Sequence, residues 1–246
     1  MQPASARSSA RLACWIAVPI LALLGGCDHL PGRPEEAERY LRPSHVKDFT
    51  DIYAENCAGC HGDDARPGAA VALSDPVYLA VADDASIQHA ISVGVPGTPM
   101  PGFANSAGGS LTDEQIRILV QGMRSRWAKS GVVTETPPYN APPGDAGRGT
   151  QVFATYCASC HGTDGKGGPK GGSVVDGSYL ALVSNQGLRT SVIVGRPRLG
   201  MLDWRGLRRP PSEDNKMISD AEISDVVAWL ISKRVPFPGQ PYARAE

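Results

Sequence analysis

The stretch Cys57-Ala58-Gly59-Cys60-His61 occurs twice, and Cys157-Ala158-Ser159-Cys160-His161 repeats it a hundred residues later. Two thiols separated by two residues sit one short turn apart, and a histidine follows at once. C-x-x-C-H is the spacing that attaches a c-type haem. The thiols add across the two porphyrin vinyl groups, and the imidazole ligates the iron. One copy can arise by chance; two copies in matching surroundings point to attachment. Cys57, Cys60, Cys157 and Cys160 are therefore read as the anchors of two covalently bound haem c groups, with His61 and His161 as iron ligands.

The repeat extends well beyond the two motifs. Tyr53 and Phe153 each stand four residues before the first haem cysteine. With one extra residue allowed after His161, Asp75, Tyr78, Leu79, Gly94 and Pro96 align with Asp176, Tyr179, Leu180, Gly195 and Pro197. Met100 then falls on Met201 and Phe103 on Trp204. Further on, Leu111–Ile116 matches Ile218–Ile223, with Thr112 and Ser219 as helix N-caps followed by acids in the first turn. Ile116, Leu119, Val120 and Met123 recur at helical spacing, as do Ile223, Val226, Val227 and Leu230. Each stripe is predicted to pack on the helix that precedes its haem motif. No run of alternating strand residues is evident.

On these motifs and matches, from Val46 to Arg234, the sequence resembles class I cytochromes c in a di-haem arrangement. The resemblance implies an all-α fold of two tandem class I cytochrome c domains joined by a Pro-rich linker. It also implies a second axial ligand on a loop late in each domain. Met100, in Gly97-Thr98-Pro99-Met100-Pro101-Gly102-Phe103, is the candidate in the first half, braced by prolines. Met201 is its counterpart in Arg198-Leu199-Gly200-Met201-Leu202-Asp203-Trp204 and lacks those flanking prolines, which leaves room for a labile ligand. Met217 competes with it, but lies beside the start of the last helix. Met123 is expected in the core, and His29, His45 and His89 are expected to be solvated.

The N-terminus reads as an address. Arg7 and Arg11 precede a short apolar run from Trp15 to Leu24, the pattern of a signal peptide and too short for a confident span. Leu24-Gly25-Gly26-Cys27 resembles a bacterial lipobox, which makes Cys27 the lipidation site and leaves Cys14 in the leader. Asp28 after it resembles an inner-membrane retention signal. The expected division is a signal peptide at 1–26, a tether at 27–44, the first domain at 45–132, a linker at 133–144 and the second domain at 145–246. Pro137, Pro138, Pro142 and Pro143 make that linker a stiff, extended connector. The protein is expected at the periplasmic side of the cell membrane, exported and lipid-anchored.

Cleavage before Cys27 leaves 22 basic against 25 acidic residues, a net charge of −3, which speaks against nucleic-acid binding. The halves differ. Residues 45–132 hold six basic and ten acidic side chains, a net −4, while residues 145–246 hold thirteen and ten, a net +3. Arg196, Arg198, Arg205, Arg208 and Arg209 surround Met201, while Asp63, Asp64, Asp75, Asp83 and Asp84 lie in the first half. These are expected either to face solvent and the haem propionates or to form docking faces of opposite sign.

With both irons six-coordinate, no small-molecule substrate is expected, and the function is electron transfer in a respiratory chain without catalysis. Donors of the expected kind are a quinol-oxidising complex or a dehydrogenase; acceptors are a terminal oxidase or reductase. A di-haem peroxidase also carries two C-x-x-C-H motifs and is the alternative, with the Met201 loop as its opening site. A zinc site or a thioredoxin-like dithiol fits poorly, since the cysteine pairs lie a hundred residues apart and no βαβ pattern surrounds them.

Overall fold

The computed structural model describes residues 34–35, 40–65, 70–206, 217–236 and 238. The apolar leader run, Cys14, Cys27, His29, Arg208 and Arg209 lie outside these residues. The chain divides into two units, Met1–Arg42 and Pro43–Glu246, and both haem motifs belong to the second. Among the described residues no helix is long and apolar enough to cross a membrane.

The second unit is helical. Its first half runs α1 (Phe49–Asn56), α2 (Ala58–His61), α3 (Pro76–Val81), α4 (Asp84–Val93) and α5 (Asp113–Trp127). Its second half repeats the order as α6 (Ala146–Tyr156), α7 (Ala158–His161), α8 (Gly177–Leu182), α9 (Asn185–Val194) and α10 (Asp220–Ile231). The described residues contain no strand, only isolated bridges at Ala104–Leu111 and Arg196–Met201.

Short polar side chains start these helices. Asp48, Asp75 and Asp83 accept hydrogen bonds from first-turn amides of α1, α3 and α4, as Asp145, Asp176 and Ser184 do for α6, α8 and α9. Thr112 with Gln115, and Ser219 with Glu222, form complete capping boxes on α5 and α10. Each such cap contributes about 0.5–2 kcal/mol. Asp75 and Asp83 are thus occupied in capping, and Asp84 pairs with Arg124 at 2.6 Å. Much of the first half's acidity serves the fold itself.

The apolar stripes pack as expected, α5 on α1 and α10 on α6. Ile116, Leu119, Val120 and Met123 are buried beneath Phe49, Ile52 and Tyr53, and Ile223, Val226, Val227 and Leu230 are likewise buried. Phe49, Tyr53 and Trp127 form an aromatic cluster in the first half, and Phe153 stacks on Trp229 in the second at 4.2 Å between centroids.

The two halves are not separate beads. The first apolar core continues into Ile193, Val194, Trp204 and Ile223 of the second half, and α3 packs against α9. The Pro-rich connector is no free-standing spacer, because it is strapped onto the second half. Buried Arg189 donates from Nη2 to Pro138 O (2.8 Å) and from Nε to Tyr139 O (3.2 Å). It also bonds Ser224 Oγ and pairs with Asp220. Gln186 Nε2 reaches Tyr139 O at 2.8 Å, and Arg205 Nη1 reaches Val132 O at 3.1 Å. The Tyr139 hydroxyl meets that of buried Tyr78, which ties the connector to the first half as well.

Candidate haem sites

Each haem motif sits at the end of a helix that the core holds in place. Helix α1 closes with the Cys57 amide donating to Tyr53 O at 2.8 Å, and α6 with the Cys157 amide donating to Phe153 O at 2.9 Å. The next turn, α2 or α7, carries the second cysteine and the histidine, so both thiols leave one side of a single turn. The Tyr53 hydroxyl fastens this turn by donating to Gly62 O at 2.9 Å.

The surroundings suit a porphyrin edge. Cys57 and Cys157 are half-buried, and burial, with the neighbouring cysteine second, pushes each thiol up to about 11. A redox dithiol needs the opposite shift, towards thiolate at neutral pH. Among the described residues no group of three or more His, Cys, Asp or Glu is gathered to hold a metal ion.

The histidines are oriented alike. His61 Nδ1 lies 2.9 Å from Val71 O, and His161 Nδ1 lies 2.7 Å from Gly172 O. The two carbonyls occupy equivalent places in the repeat. A carbonyl only accepts, so each Nδ1 carries the proton and each Nε2 keeps a free lone pair for iron. Burial lowers the His61 pKa, which favours the neutral imidazole a metal requires. On the second site's histidine side, a Cβ on Gly171 would stand 2.8 Å from the His161 ring, so that wall is closely fitted.

Both methionine loops are entered the same way. Gly94 and Gly195 end α4 and α9 at φ values of +77° and +68°, which a side chain would strain. The Val95 amide then donates to Met100 O at 3.0 Å, and the Arg196 amide to Met201 O at 3.0 Å. The Met201 amide adds a return bond to Arg196 O at 3.2 Å. The loop without flanking prolines is therefore closed by two backbone hydrogen bonds, while in the first loop the Met100 amide donates to Thr98 Oγ1 at 3.3 Å. Met100 and Met201 are both half-buried, and Met100 packs against the first core. Met217 is exposed, as are His45 and His89, whereas Met123 is buried in the core.

The arginines beside Met201 divide into two kinds. Arg205 is bound to Asp203 at 2.5 Å, lies over the Trp204 ring and holds the connector. Arg196 and Arg198 are exposed. The histidine-to-carbonyl bonds and the Arg189 strap had no signature in the sequence, since both end on backbone oxygens of irregular segments.

Comparison with known proteins adds the family. Residues 146–233 match the family model described as Cytochrome c, and residues 44–121 match Cytochrome C oxidase, cbb3-type, subunit III. Relatives include the Cbb3-type cytochrome c oxidase subunit FixPc of Rhizobium leguminosarum bv. viciae, 31% identical over 141 residues, covering 54% of this chain and 44% of the relative. FixP of Azorhizobium caulinodans is 34% identical over 139 residues, covering 52% and 43%. CcoP of Rubrivivax gelatinosus is 35% identical over 117 residues, covering 47% and 34%. The chain thus spans less than half the length of these relatives. It carries two cytochrome c domains in tandem and two covalently bound haem c groups, and in this it is similar to the di-haem c-type cytochromes.

Proposed function

We propose that this protein passes electrons, one at a time, between redox proteins of a respiratory chain, and that it catalyses no bond chemistry of its own. Bound haem c supplies a one-electron iron couple. The chain's residues anchor, orient and tune it. Cys57 with Cys60, and Cys157 with Cys160, would hold the porphyrins through thioethers. With Nδ1 engaged by Val71 O and Gly172 O, His61 and His161 would offer Nε2 to iron. Met100 and Met201 would each add a thioether ligand, a pairing that raises the potential and suits the upper part of a respiratory chain.

The observation that carries this reading is the duplication of the whole ligand frame, with the same histidine-to-carbonyl bond and the same loop-closing bond in each domain. The cbb3-type oxidase subunits among the relatives favour a terminal oxidase as the acceptor, with a quinol-oxidising complex or dehydrogenase as donor. Lipidation at Cys27 would keep the protein at the periplasmic side of the membrane, near such partners. A potentiometric titration of the purified holoprotein tests the proposal. Two one-electron waves with low-spin spectra throughout are expected. A high-spin haem that turns over peroxide would point to the peroxidase alternative.

A further inference from the structure

The two methionine loops share a closing hydrogen bond but not an outer surface. In repeat register Arg196-Pro197-Arg198-Leu199-Gly200 stands where Val95-Pro96-Gly97-Thr98-Pro99 stands in the first domain. Val95, Pro96 and Gly97 line a groove whose other wall is Leu180, Ala181 and Val183 of the second domain. Of that loop, Pro96, Gly97 and Pro99 are exposed, and Val95 and Thr98 are half-buried. In the second domain, Arg196 to Gly200 are all exposed, and Leu199 retains 71% of its accessible surface.

Charge singles out the same loop. Every other arginine of the second domain among the described residues has a partner within the fold. Arg148 binds Asp225, Arg189 binds Asp220, Arg205 binds Asp203, and Arg234 bonds Asn185 and the carbonyls that end α8. Arg196 and Arg198 make no ion pair with any described residue. A leucine costs free energy when left in water, and two cations beside it repel each other. Both costs are relieved by a partner that brings acids around an apolar patch.

We propose that Arg196, Arg198 and Leu199 form a docking surface for an acidic electron-transfer protein at the second domain. This rests on the electron-transfer reading above. One electron passes between the second haem and the docked partner; one is oxidised by one electron, the other reduced by one, and no bond forms or breaks. The cations steer encounter, and Leu199 contributes the desolvated centre.

The test uses the holoprotein immobilised at its C-terminus, with an acidic blue-copper protein as the binding and redox probe. Arg196→Gln/Arg198→Gln is expected to weaken binding about tenfold at low ionic strength and hardly at all at high. Leu199→Ser is expected to weaken it at both. The visible spectrum of each variant should match the parent, which excludes misfolding. In stopped flow, oxidation of the second haem by the probe should slow in parallel. Binding and rate unchanged in every variant overturn the surface and leave the electron-transfer reading intact. A parent that binds the probe yet exchanges no electron with it overturns that reading too. Salt-sensitive dimerisation abolished by the double variant would assign the loop to a second copy of this chain and overturn the proposal.

Discussion

Gly122 of α5 lies directly under the ring of Phe49 of α1, so close that a Cβ there would overlap the ring. In the second domain Gly149 stands in the place of Phe49 and Trp229 in that of Gly122, and a Cβ on Gly149 would overlap Asp225 O and meet Trp229 Cβ at 2.8 Å. Each domain therefore has a glycine where its first and last helices cross, on α5 in the first and on α6 in the second.

The close approach of α10 leaves no room for a side chain at Gly149. Gly149→Ala should destabilise the second domain by about 1–3 kcal/mol through overpacking. Urea unfolding of parent and variant measures it; an unchanged stability would contradict the tight crossing.

The connector is held by one buried guanidinium. Arg189→Met removes bonds to Pro138 O, Tyr139 O, Ser224 and Asp220. A loss of about 1.5–3 kcal/mol is expected for charge-assisted bonds of this kind. Limited proteolysis should then open new cleavage sites between residues 132 and 144. An unaltered digest would mean that the apolar contact between domains holds the connector without Arg189.

Asp225 supplies an acid-sensitive tie between the first and last helices of the second domain. It accepts from Arg148 Nε (2.7 Å) and Nη2 (2.8 Å) and from the Asp145 amide (2.7 Å). The Arg148 hydrogen bonds, reinforced by that amide, hold its carboxyl below the ordinary value of 3.8. A depressed carboxylate stabilises the fold above its unfolded pKa, and the contribution is lost as pH falls through the folded value. Asp225→Asn should thus lower stability at neutral pH, with the gap to the parent closing below 3.8. Thermal melts across this window read the difference directly; a gap that stays constant would remove Asp225 as its source.

The methionines separate by role. Met100→Ala and Met201→Ala should each convert one haem to a high-spin spectrum, while Met217→Ala, at an exposed position, should change neither. Absorption and magnetic circular dichroism distinguish these outcomes. A parent-like spectrum for Met201→Ala would release Met201 from ligation and reopen the peroxidase reading.

Most of the helical frame was legible because its signals are local. Thr112 and Ser219 before apolar periodicity marked the starts of α5 and α10, and the two cysteine motifs set the register of the repeat. What escaped depends on contacts distant in sequence. A Pro-rich segment reads as a spacer until Arg189, some fifty residues away, is seen gripping its carbonyls. The Arg196–Met201 bridge closes the second methionine loop through backbone atoms that no side-chain pattern reports. Arg205 looked like a docking cation by position and is instead a structural one.

The central claim is two haems, one per C-x-x-C-H motif, and a pyridine haemochrome assay with intact-mass measurement tests it most directly. The parent chain should carry two covalent haems, and Cys157→Ala/Cys160→Ala should carry one, retained on Cys57 and Cys60. A single haem in the parent, or two in the variant, would contradict it.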